Sequence, residues 1–240
     1  MFPWNKVIIS VPYHSEKQII AETNQILQSW KEIKIIEIRF DYWIGDLVDD
    51  AVARIARYLR KSHLKSIFTY QSQPHDDEST LVPLYQRLIQ YNPDYIDFDT
   101  NLQASVLDGL ASLATQKRTN IIYSYHNWKE TPPRESISSL YELFIQRLPY
   151  LSSNERNVLK LVFMATKTTD VNKILDFCRQ YSHHGIKLIS FCMGELGKVS
   201  RILSILNGCA FTYAHIGEAT APGQIHISEI SIYLRNNPLS

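Results

Sequence analysis

The sequence predicts a single (β/α)8 barrel that occupies the whole chain, residues 1–240. Two observations carry this prediction: short apolar runs alternate with longer amphipathic stretches, and there are about eight of the short runs. A strand that is followed by a helix pairs in parallel with the next strand, and about eight such units in 240 residues suit a closed barrel. A doubly wound open sheet of similar length is the competing prediction.

The predicted strands are short runs rich in β-branched and aromatic residues. In chain order they are Val7–Val11, Ile35–Phe40, Ser66–Tyr70, Tyr95–Phe98, Asn120–Tyr125, Val158–Met164, Lys187–Phe191 and Ala210–Tyr213. Amphipathic helices are predicted between them, among them Glu16–Trp30, Asp46–Arg60, Ser79–Tyr91, Glu135–Leu148, Thr169–Tyr181 and Gly197–Leu206. In a barrel of this kind, functional side chains are expected at the carboxyl ends of the strands.

The composition argues against several classes of function. Lysine and arginine number 25 against 24 aspartate and glutamate, so a net charge of +1 predicts neither nucleic-acid binding nor attraction to an anionic membrane. No apolar run approaches the roughly 18 residues of a membrane span, and the amino terminus does not resemble a secretion signal. The three cysteines have no metal-binding spacing, which predicts buried, reduced thiols in a cytoplasmic protein without a metal site.

Lys160 lies inside one apolar run, 158–164, and His126 closes another, 121–126. Charged side chains rarely occupy such positions without a partner or a chemical role. Burial disfavours an ammonium ion, so a desolvated lysine can supply the neutral amine that attacks a ketone or aldehyde to form a Schiff base. A lysine on an edge strand that extends its charge into water would explain the same pattern.

Charged residues alternate with apolar ones in the second predicted strand. The period of two places Glu37, Arg39 and Asp41 on one face, with Ile38 and Phe40 on the other. If the charged face points into the barrel, these side chains must pair with one another. A solvated face of a half-exposed strand is the alternative.

Two segments near the carboxyl terminus could bind an anion or shape a pocket. Residues 193–201 follow a strand and open a helix, which could bring backbone N–H groups and Arg201 close to an anion. Residues 220–224, Thr-Ala-Pro-Gly-Gln, form a loop of mostly small residues after the last predicted strand. Each segment is a weak signal by itself, because glycine-rich helix starts and Pro-Gly turns are common.

Taken together, these segments resemble type I 3-dehydroquinate dehydratase, in chain order and over nearly the whole sequence. The matching pieces are Glu37-Ile-Arg39-Phe-Asp41, Ser124-Tyr-His126-Asn-Trp-Lys-Glu-Thr-Pro132, Lys160 in its strand, Met193-Gly194 with Ser200-Arg201, and Thr220-Ala-Pro-Gly-Gln224. The resemblance implies a homodimeric (β/α)8 barrel that converts 3-dehydroquinate to 3-dehydroshikimate in the shikimate pathway of aromatic amino acid biosynthesis. It also implies that the reaction needs neither a metal nor an organic cofactor.

The same resemblance implies a role for each candidate site residue. Lys160 would attack the ring ketone, and the resulting iminium would acidify the adjacent carbon-hydrogen bond. His126 would take that proton and then help to expel the hydroxyl as water. Arg201 would bind the substrate carboxylate. The residues expected to bind ring hydroxyls or to order the site are Glu37, Arg39, Gln71, Thr220 and Gln224.

The sequence departs from the family pattern mainly in the loop after the third strand. Gln71 stands where the family typically has an arginine, and His75 where it has a glutamate that orients the catalytic histidine. Losing the arginine removes a fixed positive charge, which predicts weaker substrate binding. An acid within Asp76–Glu78 could orient His126 instead, or these acids could cap the next helix. Thr220 in place of the usual serine keeps the hydroxyl, so binding is expected to survive there.

These departures leave two other hypotheses open. The chain could be another Schiff-base enzyme that uses Lys160, such as a class I aldolase acting on a keto acid or a sugar. It could also be a barrel that has lost catalysis and only binds a pathway intermediate or a protein partner. Turnover of aldol substrates would identify the first, and ligand binding without conversion the second.

Overall fold

The computed structural model describes residues 2–44, 48–72 and 76–237. Its strands are β1 (Val7–Pro12), β2 (Ile35–Arg39), β3 (Lys65–Thr69), β4 (Tyr95–Asp99), β5 (Asn120–Asn127), β6 (Val158–Met164), β7 (Lys187–Met193), β8 (Thr212–His215) and β9 (Ile225–His226). Its helices are α1 (Glu16–Ser29), α2 (Asp49–Lys61), α3 (Glu78–Ile89), α4 (Ala104–Gln116), α5 (Arg134–Arg147), α6 (Pro149–Ser153), α7 (Thr169–Tyr181), α8 (Ser200–Leu206) and α9 (Ile227–Asn236). Short 3₁₀ segments cover Trp4–Lys6, Phe40–Tyr42 and Glu195–Gly197.

The strands form one parallel sheet that curls into a barrel. Their order is β7-β6-β5-β4-β3-β2-β1-β8-β9, so β1 to β7 follow one another without the reversal that defines a doubly wound sheet. The predicted single (β/α)8 barrel is confirmed, and the open-sheet alternative is wrong. Between β7 and β8 the described residues form no ladder. A backbone hydrogen bond spans this gap: the Ala210 N–H donates to the Leu188 carbonyl at 2.8 Å.

Alternation along the strands divides the buried residues into two layers. One set of apolar side chains faces outward and packs against the helices; it includes Ile9, Ile36, Phe68, Ile96, Ile121 and Leu159. The other set fills the floor of the barrel with Ile8, Ile35, Ile67, Tyr95, Ile122 and Val158. Each fully buried side chain of this kind stabilises the fold by about 1.5–3 kcal/mol. Above this apolar floor, the next inward positions of β1 to β6 are polar or charged, whereas β7 keeps apolar side chains there.

Local hydrogen bonds mark the first residues of α1 and α8. Ser15 caps α1 by accepting from the Gln18 N–H at 3.1 Å. The second predicted helix was expected to begin at Asp46, which lies outside the described residues. The helix predicted at Gly197 begins three residues later as α8, because the Ser200 hydroxyl donates to the Gly197 carbonyl at 2.6 Å and holds a preceding turn.

Candidate active site

The polar layer of the barrel encloses a narrow cavity of about 40 Å³ near the carboxyl ends of the strands. All eight residues that the sequence nominated for the site line this cavity: Glu37, Arg39, Gln71, His126, Lys160, Arg201, Thr220 and Gln224. The cavity shares Arg39, Gln71 and Trp128 with a wider one of about 1160 Å³ toward the barrel mouth. The fold therefore brings together residues that span most of the chain.

Lys160 is buried at the centre of this cavity, with 6 % of its surface exposed. Its Nζ donates to Oδ2 of Asp97 at 3.0 Å and lies 4.7 Å from the centre of the Tyr213 ring. Strand β6 is flanked on both sides, by β5 and β7, so the edge-strand alternative is wrong. The sequence reasoning missed Asp97, although Asp97 alternates with Ile96 and Phe98 in β4 just as the charged residues of β2 alternate with apolar ones.

His126 lies one inward position closer to the mouth than Lys160, since Ser124 pairs with Lys160 and His126 is two residues further along β5. Its ring stacks on Trp128, with centroids 5.4 Å apart and planes inclined by 19°. Burial lowers the pKa of His126 well below its usual range, and three nearby cations lower it further. These cations are Lys160, Arg39 and Arg201. The imidazole is therefore neutral at neutral pH and able to accept a proton.

No acid in the described residues orients His126 by a hydrogen bond. The Asp77 carboxylate caps α3 by accepting from the Thr80 N–H at 3.0 Å, which confirms the helix-cap interpretation for that residue. Glu78 accepts from the Gln103 N–H at 2.7 Å, and burial followed by the nearby Asp76 carboxylate raises the pKa of the Tyr70 hydroxyl. His75 lies outside the described residues. Among the described residues, the imidazole stacks on Trp128, a contact that sequence reasoning did not foresee.

The charged face of β2 points into the barrel. Glu37 is 2 % exposed, and its two oxygens accept from the Ser10 and Thr69 hydroxyls at 2.6 and 2.8 Å. Arg39 donates to both oxygens of Asp41 at 2.7 and 2.8 Å. The alternative of a solvated sheet face is therefore wrong, and the predicted pairing of these side chains is found for Arg39 with Asp41.

Arg201 projects from the first turn of α8 and is almost fully buried. It donates to the Gly223 carbonyl at 3.0 Å and to the Pro222 carbonyl at 3.3 Å, and it lies 4.3 Å from the centre of the Phe191 ring. Burial lowers the pKa of Arg201 to about 10. Within residues 2–44, 48–72 and 76–237, no ion pair joins it to a carboxylate. A buried cation without a counter-ion favours the binding of an anion.

The loop that follows β8 closes over the cavity. The Thr220 N–H and hydroxyl donate to Oε1 of Gln224 at 2.6 and 3.2 Å, and the Thr220 carbonyl accepts from Arg39 at 2.9 Å. Gly223 has φ +63°, and a Cβ there would lie 2.3 Å from the carbonyl oxygen of Gly194. Only glycine fits this close approach, which also places the carbonyl groups that hold Arg201.

Gln71, which the sequence comparison with the family pattern sets in place of an arginine, lies at the cavity wall. Its backbone N–H donates to Oδ1 of Asp41 at 3.2 Å, so the strand end is tied to the Arg39–Asp41 pair. The side chain lines both the inner and the outer cavity. An amide here can exchange hydrogen bonds with a neutral hydroxyl but supplies no charge.

Two further searches concern the described part of the chain. None of its helices combines the length and the apolar character needed to cross a membrane. In the same residues, no cluster of three or more histidine, cysteine, aspartate or glutamate side chains is arranged to hold a metal ion.

Comparison with known proteins identifies the family of the chain. The family model of type I 3-dehydroquinase matches residues 7–237. The 3-dehydroquinate dehydratase of Streptococcus suis (strain 98HAH33) is 29% identical over 209 residues, covering 85% of this chain and 87% of its own. That of Thermococcus onnurineus (strain NA1) is 32% identical over 171 residues, covering 68% and 72%.

A solved structure shows that the fold is shared. The type I 3-dehydroquinate dehydratase of Clostridium difficile, determined with covalently modified comenic acid, superposes with a TM-score of 0.80 at 22% identity. The superposition covers 96% of this chain and 91% of that one. Since the family model spans the barrel from β1 into α9, the chain belongs to the type I 3-dehydroquinase family.

Proposed function

We propose that this member of the family dehydrates 3-dehydroquinate to 3-dehydroshikimate in the shikimate pathway through a Schiff base on Lys160. The observation that carries the proposal is the position of Lys160, which is buried at the centre of the barrel, one inward position below a neutral histidine. The homodimer is proposed on the family resemblance, and the cytoplasmic location on the three cysteines, whose spacing predicts reduced thiols.

The Lys160–Asp97 pair supports the covalent step. Lys160 gives up one proton and attacks the ring ketone as a neutral amine, and that proton returns as the adduct loses water, which leaves an iminium. Because the ammonium and the iminium carry the same positive charge, Asp97 at 3.0 Å can stabilise the site before and after the step. The iminium withdraws electrons from the neighbouring carbon and so makes its proton removable.

His126 carries out the proton transfers in this proposal. Its neutral ring accepts the proton from the carbon next to the iminium and then protonates the departing hydroxyl, which leaves as water. A bound substrate carboxylate would offset the positive charges that lower the pKa of His126. The bound anion therefore raises the basicity of His126 at the moment when a base is needed. Such positioned acid-base catalysis contributes about 10²–10⁴-fold.

Arg201 is proposed to bind the substrate carboxylate. The buried guanidinium is fixed by two backbone carbonyls and, among the described residues, forms no ion pair with a protein carboxylate. Glu37, Arg39, Gln71 and Gln224 then face the ring hydroxyls. The Thr220 hydroxyl already bonds Gln224, so we assign it to ordering that amide.

The experiment is an ultraviolet assay of purified protein mixed with 3-dehydroquinate, which follows the conjugated enone of the product. Lys160→Arg is the informative variant, because it keeps a cation for Asp97 but cannot form an imine. Lys17→Ala changes an exposed lysine on α1 and serves as the control. We expect enone from the native protein and the control, and none from Lys160→Arg. If the native protein binds the substrate but forms no enone, the binding-only hypothesis is favoured; turnover of aldol substrates instead would favour the aldolase.

A further inference from the structure

Two cysteines that the proposed reaction does not use face each other inside the fold. Cys178 lies on α7, and Cys209 lies in the turn between α8 and β8. Their sulfur atoms are 3.1 Å apart, and neither residue has any exposed surface. Both thiols also point at the same acceptor, the carbonyl oxygen of Ser190, at 3.5 and 3.8 Å.

Contacts beside the two sulfurs hold the end of α7 against the turn. The Ser182 hydroxyl donates to the Asn207 carbonyl at 3.3 Å, and Arg179 donates to the Asn207 side chain at 3.3 Å. Gly208 has φ +97°, and a Cβ there would lie 2.1 Å from the Ser182 hydroxyl oxygen. The facing of Cys178 and Cys209 is therefore built into the packing of two elements.

We propose that Cys178 and Cys209 form a disulfide when the protein meets a low-molecular-weight disulfide such as oxidised glutathione. The sulfur atoms need to approach by only about 1 Å to reach the bonded distance of about 2.05 Å. Cys192, the third buried cysteine, contacts the Thr131 hydroxyl at 3.8 Å and takes no part.

The exchange proceeds in two balanced steps. The thiolate of one cysteine attacks glutathione disulfide, which forms a mixed disulfide and releases one glutathione thiol. The second cysteine then attacks the mixed disulfide and releases the other. Two protein thiols have lost two electrons and two protons, and glutathione disulfide has gained them. The hydrogen bond shared with Cys209, and then burial, raise the pKa of Cys178 well above its usual range, so the first step is slow in the folded protein.

The disulfide would lie beside the seam between β7 and β8, where the described residues form no ladder. Cys209 immediately precedes Ala210, whose N–H makes the backbone contact across the gap between β7 and β8. The Cys209 carbonyl also accepts from Lys6, just before β1, at 3.3 Å. A covalent link from α7 to this turn would join two residues that are 31 positions apart in the chain. It would restrain the seam in the folded protein and limit the conformational freedom of the unfolded chain.

The test is to incubate the native protein with oxidised glutathione, both folded and during refolding, and to measure its intact mass and melting temperature. We expect a mass loss of two hydrogen atoms, a linked peptide containing Cys178 and Cys209, and a melting temperature higher by roughly 5–10 °C. Cys178→Ser should abolish the link, and Cys192→Ser should retain it. The proposal is overturned if only glutathione adducts form, if Cys192 is in the link, if no link forms by either route, or if the linked protein melts no higher than the reduced one.

Discussion

Lys160 and Asp97 form an ion pair inside the barrel, with Nζ 3.0 Å from Oδ2 and both side chains less than a tenth exposed. Their strands are not neighbours, because β5 lies between β4 and β6. The pair therefore spans β5 on the inner face of the barrel, directly above the apolar floor. Its arrangement explains how a lysine is tolerated at the centre of an apolar structure, and the first prediction follows from it.

Asp97→Asn is expected to destabilise the protein by about 3–5 kcal/mol, because it leaves the Lys160 charge buried without a counter-ion. Urea unfolding measures the change. Asp108→Asn, at an exposed position on α4, is the control and should alter stability by less than about 0.5 kcal/mol. Equal stability of Asp97→Asn and the native protein would show that the pair does not hold the lysine in place.

His126 makes stability depend on pH. Its pKa in the folded protein lies below the ordinary value of about 6.5, so between these two values the unfolded chain binds more protons. The contribution of neutral His126 to the free energy of unfolding is fully present above about pH 6.5, and it is lost as the pH falls toward the folded-state pKa.

Urea unfolding between about pH 8 and 5 measures this dependence, since 6.5 is the reference value for the unfolded state. The native protein is expected to lose stability below about pH 6.5 more steeply than His126→Gln, by up to about 1.4 kcal/mol per pH unit. His183→Gln, at an exposed site, should keep the native slope. Parallel profiles for the native protein and His126→Gln would contradict the account.

Trp128 is expected to set the orientation of His126. Replacing it by alanine removes the stacked ring and should lower kcat by about 10- to 100-fold, since small misplacements of a catalytic group are costly. Trp128→Phe retains a stacking surface and should recover most of the rate. Covalent trapping of substrate on Lys160 should be unchanged in both variants. A phenylalanine variant as slow as the alanine variant would argue against stacking.

Gln71→Arg is expected to strengthen substrate binding. The arginine would restore a charged donor at the cavity wall, and hydrogen bonds to charged groups contribute about 1.5–3 kcal/mol, so KM should fall about tenfold or more. Steady-state kinetics measure the effect, with the exposed Gln28→Arg as the control. An unchanged or higher KM in a folded variant would show that residue 71 does not take the position of the family arginine.

Gly223→Ala is expected to disrupt the loop that holds Arg201. Its added Cβ would lie 2.3 Å from a backbone oxygen, and φ is +63°, so we expect a loss of at least about 1 kcal/mol in stability and a higher KM. Gly109→Ala is the matched control, since nothing lies within 4 Å of its Cβ inside α4. That change should stabilise the protein by about 0.5–1 kcal/mol. Normal activity in Gly223→Ala would contradict this role of the loop.

Much of the fold could be predicted because apolar residues recur every second residue along the strands and about every 3.6 residues along the helices. Strand β6 has the predicted bounds, and the inward placement of Glu37 and Arg39 followed from alternation alone. Helix α4 was not among the predicted helices. Its N-cap residue, Gln103, forms no side-chain capping hydrogen bond, so the sequence carries no cap signal for its first residue.

One part of the site that escaped prediction is a local turn, and another is a contact between distant segments. Trp128 stacks on His126 where the chain turns, with Oδ1 of Asn127 accepting from the Lys129 and Glu130 N–H groups. The packing of residue 223 against residue 194 needs the closed barrel. Asp97 could have been predicted, since the alternation of apolar and acidic residues in β4 already places it on the inner face.

The most direct measurement of the central claim is the intact mass of the protein after borohydride reduction in the presence of 3-dehydroquinate. Reduction converts a Schiff base into a stable amine. The account predicts a substrate adduct on the peptide that contains Lys160, and no adduct on Lys160→Arg. Enone formation by the native protein without any adduct, or an adduct on another lysine, would contradict it.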